Sequence, residues 1–413
     1  MNGEGDAAVA PYSFTALSRN GTYHDGMRIE PIDIVADYVE QPRRLSLAST
    51  YAIFIGWTLF SVFVYSRFSQ LGDANSYLTG AYDETGDART RFITALATTL
   101  MRLVHLDLLA HLVYSLFAAT GVCYLVSQAK VHDRYRWPLL AILLLPNFGV
   151  WASVIGRESL FIGLLGFFMG AVIGYFIKRG LHRLLLAVFC VAGMVFIRAP
   201  FGMGAALFLV MFLLYTWGPR TPLSAGVQAL AFAAIATIVL LVVWPTLDDY
   251  IANDVLPKAK TFFTVASDTT RTWINLDTTA GYFKSLWWTL PLALVGPTPA
   301  EVYARPVMLP FLLSGMAVVF LLLYSMHAAF RQSPRGVVRK ILVLGWFPAM
   351  LVMLVAYVPF GVYNPGSGIR YASCFLLFLV LPSMFLSGLA AAEDERFNTH
   401  ARTHRNKAQV THR

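Results

Sequence analysis

The chain has 413 residues, of which 57% are hydrophobic and 13% are charged. That charged share is about half of what a soluble domain carries, so composition excludes an ordinary soluble protein. The net charge of +9 would suit a nucleic-acid partner, but membrane topology explains it better, and no nucleic-acid partner is predicted. The three cysteines all fall inside apolar runs, which predicts neither a disulfide framework nor a metal cluster.

Residues 1–46 are polar and of mixed charge, and we predict that they form a cytoplasmic tail. Arg43 and Arg44 directly precede the first apolar run, which is typical of a cytoplasmic flank. The segment lacks the apolar core of a cleavable signal peptide, so we expect none.

Apolar runs of roughly 20 residues, each long enough to cross a bilayer, recur from residue 47 to residue 389. They predict an all-α, polytopic transmembrane bundle of about 10 spans, with 10–12 as the range. The predicted spans are 47–65, 107–126, 137–155, 160–177, 184–197, 201–217, 226–244, 307–326, 341–358 and 372–389.

Two long polar segments, 67–105 and 246–305, are predicted as outer loops. Residues 93–105 are amphipathic and typical of a helix along the membrane interface. The aromatic stretch 282–291 is short for a span, and whether it crosses, re-enters or lies flat stays open. The basic segment 390–413 is predicted as a cytoplasmic tail.

Basic residues concentrate in the turns that ten spans would place inside the cell. These turns read KVHDRYR, KRGLHR and RQSPRGVVRK. The pattern follows the positive-inside rule and predicts that both termini are cytoplasmic.

Four arginines break that bias, because the same topology places them at the outer face. They are Arg157, Arg198, Arg305 and Arg370. Each lies near a predicted helix N-terminus, where unsatisfied backbone N–H groups and a bidentate guanidinium together suit an anion. We predict that the four bind a phosphate or pyrophosphate group. The alternative is that each reaches toward lipid headgroups at the interface.

Two acidic residues on the same face are candidates for a catalytic carboxylate. Asp73 follows the first span, and Glu158 adjoins Arg157. A partly desolvated carboxylate can act as a general base on a sugar hydroxyl. The alternatives are a plain loop residue for Asp73 and a local salt bridge for Glu158. Asp107 and His111 share a helical face and form a further candidate pair.

The sequence also lacks the common nucleotide-binding and hydrolase motifs. It contains no P-loop, no Rossmann glycine fingerprint, no HExxH and no GxSxG element. No cofactor and no metal ion are therefore predicted, and a sugar donor would have to be a lipid-linked one.

Four short elements carry a resemblance to a known family. They are GDANSYL, LLPNFGVWASVIGRESL, FIRAPFG and NPGSGIRYA. They resemble Wzy-type O-antigen and exopolysaccharide polymerases and related C-type membrane glycosyltransferases (GT-C-like). In those families a Pro…Trp-Ser…(Arg/Lys)-(Asp/Glu) hairpin, an Arg-Pro hairpin and a late Gly…Arg-Tyr element recur. In this chain the second element has Arg-Ala-Pro in place of Arg-Pro. The matching positions here are Pro146, Trp151, Ser153, Arg157, Glu158, Arg198, Pro200, Gly368, Arg370 and Tyr371.

The resemblance implies a bacterial inner-membrane enzyme that takes an undecaprenyl-pyrophosphate-linked oligosaccharide from the outer leaflet. It implies that the arginines hold the pyrophosphate and that Asp73 or Glu158 activates the acceptor hydroxyl. Tyr77, Trp151 and Tyr371 are the predicted sugar-binding residues. The expected partners are the lipid-linked substrate, membrane lipid and other polysaccharide-assembly proteins. Two other functions stay open: a transporter or flippase of an anionic lipid-linked substrate, and a non-catalytic membrane subunit.

Overall fold

A computed structural model of the protein describes residues 46–81, 87–131, 133–218, 223, 225–257, 259–260 and 271–394. Within those ranges the chain is helical and contains no β-strand. The main helices are α1 (Leu47–Phe63), α2 (Ala74–Thr79), α3 (Ala88–Val104), α4 (Asp107–Ala129), α5 (Asp133–Leu144), α6 (Pro146–Ala152), α7 (Arg157–Lys178), α8 (Leu181–Ile197), α9 (Ala199–Trp217), α10 (Ala225–Tyr250), α11 (Thr279–Val295), α12 (Pro299–Ala304), α13 (Leu309–His327), α14 (Val337–Tyr363) and α15 (Pro365–Asp394). The predicted tails lie outside the described residues, except for Ser46 and the last turn of α15.

Among the residues that the structure describes, seven helical stretches are long and apolar enough to cross a membrane. They are Leu47–Arg67, Asp107–Ala129, Arg157–Lys178, Ala199–Trp217, Pro306–Gln332, Val337–Tyr363 and Pro365–Asp394. An eighth is present if Gly226–Ile238 and Leu240–Val255, which are bent by 51° relative to each other, form one span. The prediction of an all-helical, multi-pass membrane protein is confirmed at this level.

Two predicted spans have different bounds in the structure from those of the sequence pattern. The segment 137–155 is divided, because α5 ends at Leu144 and α6 begins at Pro146. Proline has no N–H to continue a helix, and it holds Leu145 in an extended conformation. The segment 184–197 lies in α8, which begins three residues earlier, at Leu181, and has 17 residues.

The start of α15 also differs from the prediction. Arg370 was expected to open this helix, but the helix begins five residues earlier at Pro365. The Asn364 side chain accepts hydrogen bonds from the N–H groups of Gly366 and Ser367, and proline suits the first helical position. Residues 365–368 therefore form the first helical turn, and Arg370 lies in the second.

Helices α4 and α7 approach each other closely through glycines. A Cβ added to Gly121 would lie 2.1 Å from the carbonyl oxygen of Gly163, and one added to Gly166 would lie 2.4 Å from the carbonyl carbon of Gly121. Small residues allow helices in a membrane to gain van der Waals contact at short range. This contact fixes where α7 stands, and with it the residues at its N-terminus.

The turn before α7 is held by polar contacts from two other helices. Thr58 donates to the Ser153 carbonyl oxygen at 3.2 Å, and the hydroxyls of Ser61 and Ser153 lie 3.2 Å apart. The N–H of Ile155 donates to Nδ1 of His111 at 3.0 Å. His111, which was predicted as a possible partner of Asp107, thus positions the backbone that leads into α7.

Candidate functional site

Glu158, in the first turn of α7, lies between two arginines that are distant in sequence. Its side chain is only 2% exposed. Oε1 accepts from Nε of Arg370 at 2.6 Å, and it also contacts an Nη of Arg198. A buried carboxylate is tolerated only when its charge is paired and hydrogen-bonded, and both conditions hold here.

Asp73 extends this arrangement toward the surface. Its Oδ2 accepts from an Nη of Arg370 at 2.8 Å, and its side chain is 33% exposed. Arg370 therefore bridges one buried and one accessible carboxylate. We call Asp73, Glu158, Arg198 and Arg370 the ion cluster.

Two glycines leave room for the ion cluster. A Cβ on Gly72 would lie 2.5 Å from an Nη of Arg370, and Gly72 has a φ of +60°, which L side chains rarely adopt. A Cβ on Gly156 would lie 2.7 Å from a carboxylate oxygen of Glu158. A side chain in place of Gly72 or Gly156 would therefore collide with the ion cluster, which explains the glycine directly before Asp73 and before the Arg157–Glu158 pair.

Aromatic rings cover the two guanidinium groups. The guanidinium carbon of Arg198 lies 4.2 Å from the ring centre of Tyr371, and that of Arg370 lies 5.6 Å from the ring centre of Trp151. Tyr371 in turn stacks on Phe360 at 4.6 Å. Such contacts favour a charged guanidinium away from water. Trp151 and Tyr371, which the sequence predicts as sugar-binding residues, each have a ring near an arginine of the ion cluster.

Tyr77, the third predicted sugar-binding residue, is buried beside the ion cluster. Its hydroxyl accepts from Nε of Arg157 at 3.2 Å. Burial raises the pKa of the Tyr77 hydroxyl, and the neighbouring charges of Arg157, Asp73 and Glu158 modify that pKa further. Tyr77 and Trp151 are 1% and 4% exposed, so neither offers an open ring face for a sugar.

Arg157 is held at the edge of the ion cluster by α3. An Nη of Arg157 contacts the Thr90 hydroxyl and lies 3.9 Å from Oδ1 of Asp87. Burial opposes the charge on Asp87, but hydrogen bonds from Thr90 and Arg89 outweigh it and lower the pKa of the Asp87 carboxyl to about 2. Sequence reasoning missed Asp87 and Thr90, although the Asp-x-x-Thr spacing is a signal for a helix N-cap.

Arg305 occupies a different setting from the other three predicted arginines. It is exposed and lies at the junction between α12 and the turn Pro306–Met308. The structure brings Arg198 and Arg370 into direct contact with one carboxylate and places Arg157 next to them through Tyr77. It does not bury Arg305 with them.

Arg271 forms a second buried ion pair that sequence reasoning did not single out. Its Nε and an Nη donate to the two carboxylate oxygens of Glu301 at 2.7 and 2.8 Å. The other donors reach the carbonyl oxygens of Gly296 and Val362. Hydrogen bonds outweigh burial and lower the pKa of the Glu301 carboxyl. With all of these donors used, Arg271 ties α11, α12 and the end of α14 together and has a structural role.

The donors around the ion cluster suit an added anion. The cluster has two guanidinium groups and two carboxylates, and Arg157 beside it is paired with Asp87 at 3.9 Å. Within the described part of the chain, Nε of Arg198 and Nε1 of Trp151 are buried donors without a hydrogen-bond partner. Buried N–H groups are normally paired, so these two suit oxygen atoms of a ligand.

Among the described residues, no three His, Cys, Asp or Glu side chains lie close enough together to hold a metal ion. The groups that the site offers to a ligand are therefore guanidinium, indole and hydroxyl donors and the carboxylate of Asp73.

Comparison with known proteins gives no relative. No protein-family model matches the chain, and neither the curated proteins nor the solved structures contain a match. The resemblance to Wzy-type polymerases is therefore carried by the short elements of the sequence alone.

Proposed function

We propose that this protein is a membrane glycosyltransferase or polysaccharide polymerase that uses a polyprenyl-(pyro)phosphate-linked sugar donor. The proposal includes a ten-span topology with both termini in the cytoplasm and the ion cluster at the outer face of a bacterial inner membrane. The observation that carries it is the meeting of Asp73, Glu158, Arg198 and Arg370, from four separate segments, beside a further arginine.

The arrangement supports a division of roles between the two carboxylates. Glu158 is buried against Gly156 and paired with two arginines, so it orients guanidinium groups. Asp73 is one-third exposed and shares Arg370 with Glu158. We assign Asp73 as the general base and Glu158 as a positioning residue.

Binding of the donor would make Asp73 available. A pyrophosphate carries more charge than a carboxylate and offers more oxygen atoms to arginine, so it competes with Asp73 for Arg370. Arg157 and the unused donor of Arg198 supply further contacts. The released Asp73 carboxylate then accepts a proton from an acceptor hydroxyl.

The transfer step balances without any other reactant. The acceptor oxygen forms a bond to the anomeric carbon of the donor sugar, and the bond from that carbon to the pyrophosphate oxygen breaks. The polyprenyl pyrophosphate leaves with the electron pair, and Asp73 takes the hydroxyl proton. The arginines stabilise the negative charge that develops on the leaving group.

The test uses the full chain in proteoliposomes with a radiolabelled undecaprenyl-pyrophosphate oligosaccharide, and it measures the lengths of the glycan products. We expect Arg198→Ala, Arg370→Ala and Asp73→Asn each to lower the transfer rate by about 100-fold or more, as losses of one charge-stabilising or proton-accepting group do. Asp249→Asn, at another exposed carboxylate, is the control. The thermal midpoint of each variant distinguishes loss of chemistry from loss of folding. Arg370→Lys, which keeps the positive charge, serves the same purpose.

The competing functions give different results in the same vesicles. A transporter or flippase moves the labelled lipid to the other leaflet without forming a glycosidic bond. A non-catalytic subunit gives neither product nor movement. Either result, or normal products from all three variants, contradicts the proposal.

A further inference from the structure

The segment that follows Arg271 presents a polar face and an apolar face in alternation. Ile274 and Leu276 are buried in a small core with α11 and the end of α14. Trp273, Asn275 and Asp277 alternate with them and are exposed. Lys260 contacts both Asn275 and Asp277, so these two side chains lie together, and Trp273 lies in the turn just before them. We call these three exposed side chains the surface strip.

Each member of this strip has a position set by a neighbour. Trp273 stacks on Trp288 of α11, with ring centres 6.2 Å apart and planes inclined by 24°. Nζ of Lys260 donates to Oδ1 of Asn275 at 3.2 Å and to Oδ1 of Asp277 at 2.9 Å. Trp273 is nevertheless 65% exposed, so much of its indole surface is open.

The polar side chains near Trp273 favour a sugar over hydrocarbon as the group that its open ring face contacts. A ring that faces hydrocarbon would not share its surface strip with an amide and a carboxylate–ammonium pair, since charges in lipid are costly. Trp287 is 80% exposed on the outward side of α11 together with Ala280, Lys284 and Pro291. That setting is typical of an interfacial aromatic belt.

We propose that Trp273, Asn275, Asp277 and Lys260 form a binding site for an uncharged oligosaccharide chain, held by stacking of a sugar ring on the indole and by hydrogen bonds to its hydroxyls. An aromatic body beside amide, carboxylate and ammonium groups matches a sugar, which has an apolar ring face and a polar edge. The inference rests on the proposed function for the ligand class, because a polymerase must hold a growing glycan outside its transfer site.

The same end of the bundle carries this strip and the ion cluster. The N–H of Arg271 donates to the carbonyl oxygen of Tyr363 at 2.7 Å, and α15, which bears Arg370, begins two residues later. The strip therefore lies at the end of the bundle from which a glycan chain would leave the transfer site.

The experiment measures binding without turnover. The full chain in nanodiscs is titrated with lipid-free oligosaccharides released by mild acid from the surface polysaccharide of the source cell, and saturation-transfer NMR reports bound sugar protons. We expect Trp273→Ala to weaken binding by roughly tenfold, as loss of an aromatic contact does. Asn275→Ala, a change at an exposed residue, should weaken it severalfold, and Trp287→Ala is the matched control with no expected change.

Two results would overturn the inference. One is unchanged affinity in both Trp273→Ala and Asn275→Ala. The other is an equal loss in Trp273→Ala and Trp287→Ala, which would assign both rings to the membrane interface. The Arg370→Ala variant keeps the readouts separate: it should lose transfer and keep this binding, so failure of the transfer proposal does not imply failure of the glycan site.

Discussion

At the scale of single residues, each charged group of the ion cluster has a defined partner. Glu158 is the clearest case, since it is buried and meets Arg198 and Arg370 on one carboxylate. Removing one partner of a buried ion pair costs about 3–5 kcal/mol, because the other charge remains in a poor environment. The same arginines are the groups we assign to the substrate, so stability and binding depend on one set of contacts.

Gly72 offers a test of this dependence from outside the ion cluster. Gly72→Ala adds a methyl group 2.5 Å from an Nη of Arg370 at a backbone φ of +60°. The left-handed conformation alone costs about 1–2 kcal/mol for an L residue. We expect Arg370 to be displaced, with a higher KM for the lipid-linked donor and a transfer rate lowered by about tenfold, an energy of about 1.4 kcal/mol.

Gly56→Ala is the matched control, because an added Cβ there meets no atom within 4 Å. Steady-state transfer kinetics on both variants in proteoliposomes check the prediction. Equal kinetics for Gly72→Ala and Gly56→Ala would show that Arg370 does not need its present position.

At the scale of helices, short capping and packing motifs determine where the charged side chains stand. Asp87 caps α3 by accepting from the N–H of Thr90, and Thr90 then contacts Arg157. The position of a site arginine is thus linked to the stability of a helix that does not itself qualify as a span.

The α3 cap predicts a dependence of stability on pH. The pKa of Asp87 is about 2 in the folded protein, below its ordinary value of 3.8. A lowered pKa contributes stability above the ordinary value, and this contribution disappears as pH falls through the folded value. We expect the difference in thermal midpoint between wild type and Asp87→Asn to shrink from about pH 5 to about pH 2.

Asp248→Asn, at an exposed carboxylate of α10, serves as the comparison. Calorimetry in a detergent that is stable over this pH range provides the midpoints. A wild-type advantage over Asp87→Asn that is constant across the range would contradict the assigned role of this carboxylate.

The sequence was sufficient to predict the helical membrane class, and it singled out Arg198 and Arg370 as candidate anion-binding residues, which stays a prediction. A charged residue in a tight apolar hairpin has few acceptable environments, so its position alone is informative. It could not predict that Glu158 joins the two arginines, because they lie 40 and 212 residues away and partner choice depends on packing. Pro146 by itself indicates a helix break, but the continuous apolar run across it led to the prediction of a single span, 137–155.

At the scale of the whole molecule, the proposed orientation in the membrane rests on the distribution of basic residues. The proposed topology of ten spans with cytoplasmic termini would put Asn275 outside and Arg335 inside. The structure exposes both positions, and the three native cysteines are buried, so engineered cysteines should report with low background.

We expect Asn275→Cys to react with a membrane-impermeant maleimide in intact spheroplasts and Arg335→Cys to react only after permeabilisation. Mass spectrometry of the labelled protein gives the extent of each reaction. The reverse pattern would place the ion cluster on the cytoplasmic side and remove the outer-leaflet donor from the proposal.

The span of chain that the ion cluster connects has a consequence for biosynthesis. Asp73, Glu158 and Arg198 leave the ribosome long before Arg370, which is 297 residues after Asp73. Until α15 inserts, Glu158 lacks the arginine that links it to Asp73. A chain that terminates early therefore carries an incompletely compensated acidic group within its helices, a state that membrane proteases could distinguish from the finished protein.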